Sequence, residues 1–512
     1  MLRRTRIIIA CVTFGLLSLL FLDFTGTLHP YFGWLAKKQL VPAILSINVA
    51  LIVGLALLAF LFGRIYCSVI CPFGIFQDCV SNVAGRRKGN SARFGFSPPK
   101  TYVRYALLGL FVVAIIFGIS AVVSILDPYA AYGRIASNFF APLYRWGNNM
   151  LAFLAEGVNS YAFYSTDIWM KGWPTFGIAA ITLVAVGVLA WRNGRTYCNV
   201  ICPVGTALSF LSRIAVFRLV FDSNKCTKCK VCERGCKASC IDSESMKIDN
   251  SRCVNCFNCI ENCKFGAIQY SLNGLTKPAE KKEAATNNVA NPPKANQNGV
   301  TRRDLISVFG AMAVAETIQA PLLYVDGGLA KIEDKKIPTR KTPVVPPGAL
   351  GAENLKSHCT ACQLCVSACP NGVLRPSSSL ATFMQPEMSF ERGYCRPECT
   401  ECSRVCPSSA IKPITAADKT AVSIGTAVWI NDNCVVNRDG VQCSNCEHHC
   451  PTGAIQLIAI DPDDSKSLKT PAIDKELCIG CGACEYVCPA RPFSAIYVEG
   501  NIRHHTVLKE FA

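Results

Sequence analysis

The 512-residue sequence predicts a membrane α-helical domain of four or five transmembrane helices, joined to two small α+β domains built around cysteines. Three observations predict it. Apolar residues make up 51% of the chain and charged residues only 17%, too apolar a balance for an ordinary soluble protein. Much of the apolar content is gathered into four long runs before residue 192, each near the roughly 20 residues a helix needs to cross hydrocarbon. The 31 cysteines fall in spaced groups, sixteen of them after residue 340. Intrinsic disorder, a small disulfide-stapled secreted domain and a purely soluble enzyme are excluded.

The runs are Ile7–Phe24, Ala43–Gly63, Tyr105–Leu126 and Gly172–Trp191. The first follows Arg3, Arg4 and Arg6, and no small-residue cleavage site follows it, so it reads as a retained helix rather than a signal peptide. The net charge of +17 is uneven: residues 1–340 hold 37 basic and 18 acidic side chains, and 341–512 hold 15 and 17. The basic excess sits in the apolar part, where it reads as topology and not as nucleic-acid binding. Arg64, Arg86, Arg87, Lys88, Arg93, Lys100 and Arg104 crowd the loop after the second run, and Arg192, Arg195, Arg213 and Arg218 follow the fourth. The positive-inside rule places these segments and the N-terminus in the cytoplasm. The outer loop 127–171 is rich in aromatic residues, among them Tyr129, Tyr132, Phe139, Phe140, Tyr144, Trp146, Tyr161, Phe163 and Tyr164, a composition that suits a membrane interface.

The expected organisation is a membrane domain at 1–220, a cytoplasmic cysteine-rich domain at 221–272, and a polar linker at 273–300. Arg302-Arg303 then precedes an apolar stretch, 301–325, followed by a second linker at 326–351 and a final domain at 352–512.

The strongest chemical signal is Cys226-x2-Cys229-x2-Cys232-x3-Cys236, repeated as Cys253-x2-Cys256-x2-Cys259-x3-Cys263. This is the bacterial ferredoxin run, in which three thiolates hold three corners of a [4Fe–4S] cube and the fourth ligates the other cluster. It assigns one cluster to Cys226, Cys229, Cys232 and Cys263, and a second to Cys253, Cys256, Cys259 and Cys236. Lys237 and Lys264 stand where proline usually follows, and Cys240 is a spare thiol beside Cys236. Zinc is the alternative for paired Cys-x2-Cys, and the doubled 2-2-3 spacing argues against it. The final domain has four more runs. Cys359, Cys362, Cys365 and Cys369 are regular, as are Cys478, Cys481, Cys484 and Cys488; Cys395-x3-Cys399-x2-Cys402-x3-Cys406 and Cys434-x8-Cys443-x2-Cys446-x3-Cys450 are variants. Sixteen thiols suffice for four cubanes, and the spacing argues against disulfides. Both cysteine-rich domains are therefore expected to be α+β and bacterial ferredoxin-like.

A third signal is an internal repeat: Gly63-Arg64-Ile65-Tyr66-Cys67 through Cys71-Pro72 recurs as Gly194-Arg195-Thr196-Tyr197-Cys198 through Cys202-Pro203. Cys67, Cys71, Cys198 and Cys202 would converge at the cytoplasmic membrane face, suiting a seventh iron–sulfur centre, with redox, docking or plain structural packing as alternatives. Cys11 and Cys79 have no partner pattern. There is no Cys-x-x-Cys-His, and hence no covalent haem, and no P-loop, dinucleotide fingerprint or His-Glu-x-x-His. Clusters without a bond-making site argue for moving electrons.

On its four apolar runs, paired Cys-x3-Cys-Pro motifs and double-cluster domain, the first 270 residues resemble the NapH-type membrane ferredoxin protein of periplasmic nitrate reductase systems. Residues 300–512 resemble its partner, the NapG-type periplasmic ferredoxin with four clusters and a twin-arginine signal, as if the two were fused. NosR-type and oxidase-maturation (CcoG-type) membrane proteins share the Cys-x3-Cys-Pro pair. The resemblance implies a quinol dehydrogenase of the bacterial inner membrane, drawing on the quinone pool and feeding a periplasmic terminal reductase or cytochrome. It also implies exchange of last cysteines between the first and fourth runs and between the second and third. The resulting sets are Cys359/Cys362/Cys365/Cys488, Cys478/Cys481/Cys484/Cys369, Cys395/Cys399/Cys402/Cys450 and Cys434/Cys443/Cys446/Cys406. Arg302-Arg303 resembles a twin-arginine signal for folded export, its apolar stretch being cleaved or kept as a fifth helix.

A quinol releases two protons with its two electrons, so a base is expected near the outer lipid boundary. His29, Asp127 and Glu156 are the candidates, each with helix capping or a solvated loop charge as the alternative. Two other functions fit less well: maturation or regulation of a metalloenzyme, against which Cys359–Cys488 speaks, and an anchor subunit of a larger reductase.

Overall fold

The computed structural model describes residues 1–87, 94–272, 325–326, 330–331, 333–464 and 467–507. The linker at 273–300 and the twin-arginine-like stretch at 301–324 lie outside the described residues.

The apolar runs form a helical bundle. Its principal helices are α1 (Leu2–Leu22), α2 (Val49–Phe62), α3 (Pro72–Arg87), α4 (Thr101–Ile116), α5 (Pro128–Ile135), α6 (Ala141–Glu156), α7 (Trp173–Asn193) and α8 (Pro203–Arg213). Among the described residues, α1 and α7 are long and apolar enough to cross a membrane, whereas α2 and α4 are shorter. The second and third runs are interrupted. Leu40–Leu45 and α2 are separated at Ile47, which has φ 54°, with the Asn48 side chain capping α2 through Leu51 N–H at 3.1 Å. α4 and the helix Ser120–Leu126 are separated at Gly118, φ 66°. Hydropathy sees the residue types of a run and not such breaks. Val12, Val53, Leu57, Leu110, Val113, Ile181, Val184 and Val188 are exposed on the outward faces of these helices.

The expected outer loop is largely helical. Asp127 caps α5 by accepting Tyr129 N–H and Ala130 N–H, a π-helical turn at Ala136–Phe140 follows, and α6 completes the segment. Its aromatics divide. Tyr129 and Tyr132 pack against Phe21 in the core, while Tyr144, Trp146, Phe153 and Tyr164 are exposed.

The first cysteine-rich unit begins at the strand Phe217–Phe221, ahead of the expected boundary, and this strand pairs antiparallel with Ile268–Leu272; Ile241–Asp242 pairs with Lys247–Ile248. In the second unit, Val422–Trp429 pairs with Ile496–Thr506, Ile455–Ala459 with Lys469–Ile473, and Leu374–Pro376 with Pro386–Met388. The expected linker at 326–351 is corrected from Lys335 onward. Lys335 Nζ donates to the carbonyls of Glu485, Tyr486 and Cys488, Arg340 Nε donates to Val498 O at 2.7 Å, and Val344 is fully buried. Its prolines and charges read as linker, but their partners lie some 150 residues away in sequence.

The two units sit at opposite ends of α1. At its start, Arg3 pairs with Glu261 of the first unit. Just past its end, Arg404 of the second unit reaches Gly26 O at 3.4 Å. A 21-residue helix is about 31 Å long, about the thickness of a bilayer's hydrocarbon core.

Candidate cluster sites and the four-thiol centre

Each regular run folds by the same backbone device. In Cys-x2-Cys-x2-Cys, the two residues on either side of the middle cysteine adopt left-handed φ: Lys228 and Lys230, Asn255 and Phe257, Ala361 and Gln363, Gly480 and Gly482. This curls the loop so that three thiols face one point. The non-glycine members carry a cost of about 1–2 kcal/mol each, which the surrounding structure must hold.

In the first unit, a small cavity is lined by Cys226, Cys229, Cys232 and Cys263. Cys236 lies with Cys253, Cys256 and Cys259, and Cys240 Sγ stands 3.6 Å from Cys236 Sγ. In the second unit, one cavity is lined by Cys369, Cys395, Cys399 and Cys402, and another by Cys450, Cys478, Cys481 and Cys484. Cys406 stands beside Cys359, Cys362 and Cys365, and Cys488 beside Cys446, which also neighbours Cys443. The expected exchange of first with fourth and second with third runs is therefore corrected. Cys488 does not join Cys359, Cys369 does not join Cys478, Cys450 does not join Cys395, and Cys406 does not join Cys434. Runs adjacent in the chain exchange instead, because the helix Leu364–Ser367 packs on Glu401–Val405 and Asn445–His448 packs on Ala483–Val487. The odd spacings are local insertions. The long gap after Cys434 is taken up by the helix Val435–Asp439, and the extra residue after Cys395 is held by Lys419 Nζ, which donates to Arg396 O and Cys399 O.

These donor sets fit [4Fe–4S] clusters: four thiols around one cavity, three from one run and one from its neighbour. Among the described residues, no three Cys, His, Asp or Glu side chains converge as a single metal ion would require. Burial pushes the thiols of Cys232 up to about 11 and of Cys362 and Cys481 up to about 12, so ligation must displace their protons.

The repeat builds a second kind of site. Gly63 and Gly194, at φ 70° and 69°, end α2 and α7. A short turn then carries Cys67 or Cys198, and Cys71 or Cys202 precedes the proline that starts α3 or α8. All four thiols are buried and close enough for their charges to act on one another. The two halves clasp reciprocally: Arg64 donates to Cys198 O at 2.9 Å and Arg195 to Cys67 O at 2.6 Å. A Cβ at Gly74 would stand 2.2 Å from Cys67 O, and one at Gly205 2.4 Å from Cys198 O. Gln77 Nε2 donates to Cys198 Sγ at 3.2 Å, and Gly205 N–H to Cys202 Sγ at 3.4 Å. Asp78 accepts both arms of Arg195 at 2.8 Å, with Arg6 beside it and Lys237 Nζ at 3.6 Å. Lys237, the departure from the ferredoxin pattern, thus ties the first unit to the bundle.

The three quinol-site candidates are not brought together. Asp127 is a buried helix cap and Glu156 is exposed at the end of α6. His29 is buried near Asp23, Glu401 and Arg404; burial lowers its pKa, and neither ring nitrogen has a partner among the described residues. None of them lines the cavity of about 450 Å³ between the segment before α7 and the second unit. Tyr164, Asp167, Trp169, Lys171, Arg145 and Arg392 form its walls with Cys369. Trp169 is flanked by the guanidiniums of Arg375 and Arg392, 5.5 and 5.0 Å from its ring. Asp167 and Trp169 carry no signal in the sequence beyond their place in an aromatic-rich loop.

Among known proteins, a 4Fe-4S binding domain family matches residues 47–91 and 173–221, the two segments that carry the four-thiol repeat. A 4Fe-4S dicluster domain matches 440–491 and a further 4Fe-4S binding domain matches 355–375. The methylamine utilization ferredoxin-type protein MauM of Methylobacillus flagellatus is 32% identical over 167 residues, 31% of this chain and 70% of that protein. MauM of Methylorubrum extorquens is 30% identical over 38% of this chain and 87% of its own length. The ferredoxin-type protein NapG of Escherichia coli K12 is 28% identical over 31% of this chain and 74% of its own.

Proposed function

Because the chain belongs to the family of MauM ferredoxin-type proteins, and is an iron–sulfur electron-transfer protein related to the Nap and Mau ferredoxins, we propose that it is a membrane-bound quinol dehydrogenase. It oxidises quinol at the outer face of the bacterial inner membrane and delivers electrons to a periplasmic terminal reductase or cytochrome. Membrane insertion is supported by the exposed apolar faces of α1, α2, α4 and α7, which a water-facing bundle would not present. The first unit then lies in the cytoplasm and the second in the periplasm, following the basic residues near the start of α1 and around Arg64 and Arg195.

The observation that carries the reading is the 450 Å³ cavity, whose wall includes Cys369. That volume suits a quinol headgroup. Trp169 and Tyr164 offer ring faces, and Asp167 is an exposed carboxylate able to take a proton and pass it to water. Arg145, Lys171 and Arg392 set a positive field that favours loss of the phenolic proton; burial brings Lys171 itself down to about 8. A [4Fe–4S] cluster, when bound, takes up one electron at a time, so the two electrons of a quinol leave singly. The test is anaerobic addition of a reduced quinol to the purified protein, with cluster reduction followed by absorbance and EPR and dithionite as the reference. Dithionite reduction with no response to menaquinol or ubiquinol would instead favour the maturation or anchor functions.

A further inference from the structure

We infer that Cys67, Cys71, Cys198 and Cys202 bind an iron–sulfur cluster that joins the two cysteine-rich units into one electron path through the bundle. The inference rests on the reading of both units as cluster-bearing, and not on quinol as the substrate.

Charge makes the first argument. Arg64 and Arg195 are buried against the four thiols, Arg6 and Lys237 are buried beside Arg195, and among the described residues Asp78 is the carboxylate that pairs with three of these four cations. Arg64 is fully buried and, among the described residues, bonds only neutral acceptors: Asn199 Oδ1 at 2.8 Å, Ser251 O at 3.2 Å and Cys198 O at 2.9 Å. Its Nε has no partner among the described residues. A buried guanidinium without a counter-charge is costly, and four neutral thiols supply none. Four thiolates around an iron–sulfur core form a net anion, which offsets this excess. Gln77 Nε2 and Gly205 N–H already donate to two of the sulfurs, as ligated thiolates require.

Position makes the second. On the first-unit side, Arg64 donates to Ser251 O at 3.2 Å, close in the chain to Cys253, and Asn199 Nδ2 donates to Ala238 O at 3.1 Å, close to Cys236. On the second-unit side, Tyr66 and Tyr197 border the thiols and lie within the field of Asp127, and Tyr129 lies within that of Asp127, Cys362 and Cys406. Gly133 of α5 touches the backbone there: a Cβ would stand 2.3 Å from Cys362 O. Electron tunnelling falls exponentially with distance, so a carrier between the two units allows a transfer that the full length of α1 would forbid. Each passage oxidises iron in one unit by one electron and reduces iron in the other by one. No bond is made or broken and no proton moves.

The test uses the full chain. Iron and acid-labile sulfide should show one cluster more than the six of the ferredoxin runs, and Cys67→Ser/Cys198→Ser should lose that one while keeping the EPR signals of the rest. In sealed proteoliposomes enclosing ferricyanide, external dithionite should reduce the ferricyanide through the wild-type protein, and at least tenfold more slowly through the double variant. Cys11→Ser should match the wild type. Zinc in place of the extra iron, a wild type that carries no electrons across, or a double variant that carries them as fast would each overturn the inference. Should the double variant lose its other clusters, the wild-type iron count and transfer rate still decide. No quinol enters the assay, so its failure and failure of the quinol reading are separate results.

Discussion

At the residue scale, the informative positions are the last cysteines of each run, because they decide which clusters are neighbours. Cys406 stands with Cys359, Cys362 and Cys365, whereas run order alone left it free to serve any partner. Cys359→Ser and Cys406→Ser are therefore expected to lose the same cluster. The double variant should then contain no less iron than the more affected single variant, a coupling of adjacent sites that iron analysis and EPR can read. Loss of two clusters in the double variant would restore the exchange with more distant runs. Lys237 belongs to the same scale. In the sequence it is only a lysine where proline usually follows, but its ammonium donates to Asn82 Oδ1 at 2.9 Å and faces Asp78.

At the element scale, the cluster loops are held in left-handed backbone by what they pack against. Gly480 has φ 72°, and a Cβ there would stand 2.5 Å from the backbone of Gly425. Gly480→Ala should cost at least about 2 kcal/mol through strain and overlap together. Ala361, at φ 55° in the matching position of the first run, already tolerates a Cβ. Ala361→Gly should stay within about 1 kcal/mol of the wild type, since relief of strain offsets the greater freedom of the unfolded chain. Thermal loss of cluster absorbance in the two variants separates these outcomes. The equivalence of the two positions was legible from spacing. The inequality of their surroundings was not, because Gly425 is 55 residues away in the chain.

At the scale of the whole molecule, function depends on where the bundle holds the two units. The cavity beside Cys369 exists only because residues 164–171 meet the second unit, with Trp169 against Gly372 and Arg375. Trp169→Ala should slow reduction by quinol at least tenfold while leaving dithionite reduction and iron content unchanged. Equal rates in the two proteins would move the quinol site elsewhere, with His29 the next place to look. Neither His29, Asp127 nor Glu156 could be ranked from sequence, since a carboxylate that caps a helix and one that accepts a substrate proton look alike until their neighbours are known.

The cysteine chemistry, the spacing of the cysteine loops, the repeat that gathers four thiols, and the apolar runs are legible in the residues alone. Each of these is written in spacing or composition over a few tens of residues. Which runs bring their cysteines together, that residues 335–351 belong to the second unit, and that α2 and α4 are cut short emerge from the folded chain alone. It alone placed a buried excess of positive charge around Cys67, Cys71, Cys198 and Cys202. Those features arise from contacts between segments far apart in the chain, where packing and the pairing of buried charge, and not local pattern, set the outcome.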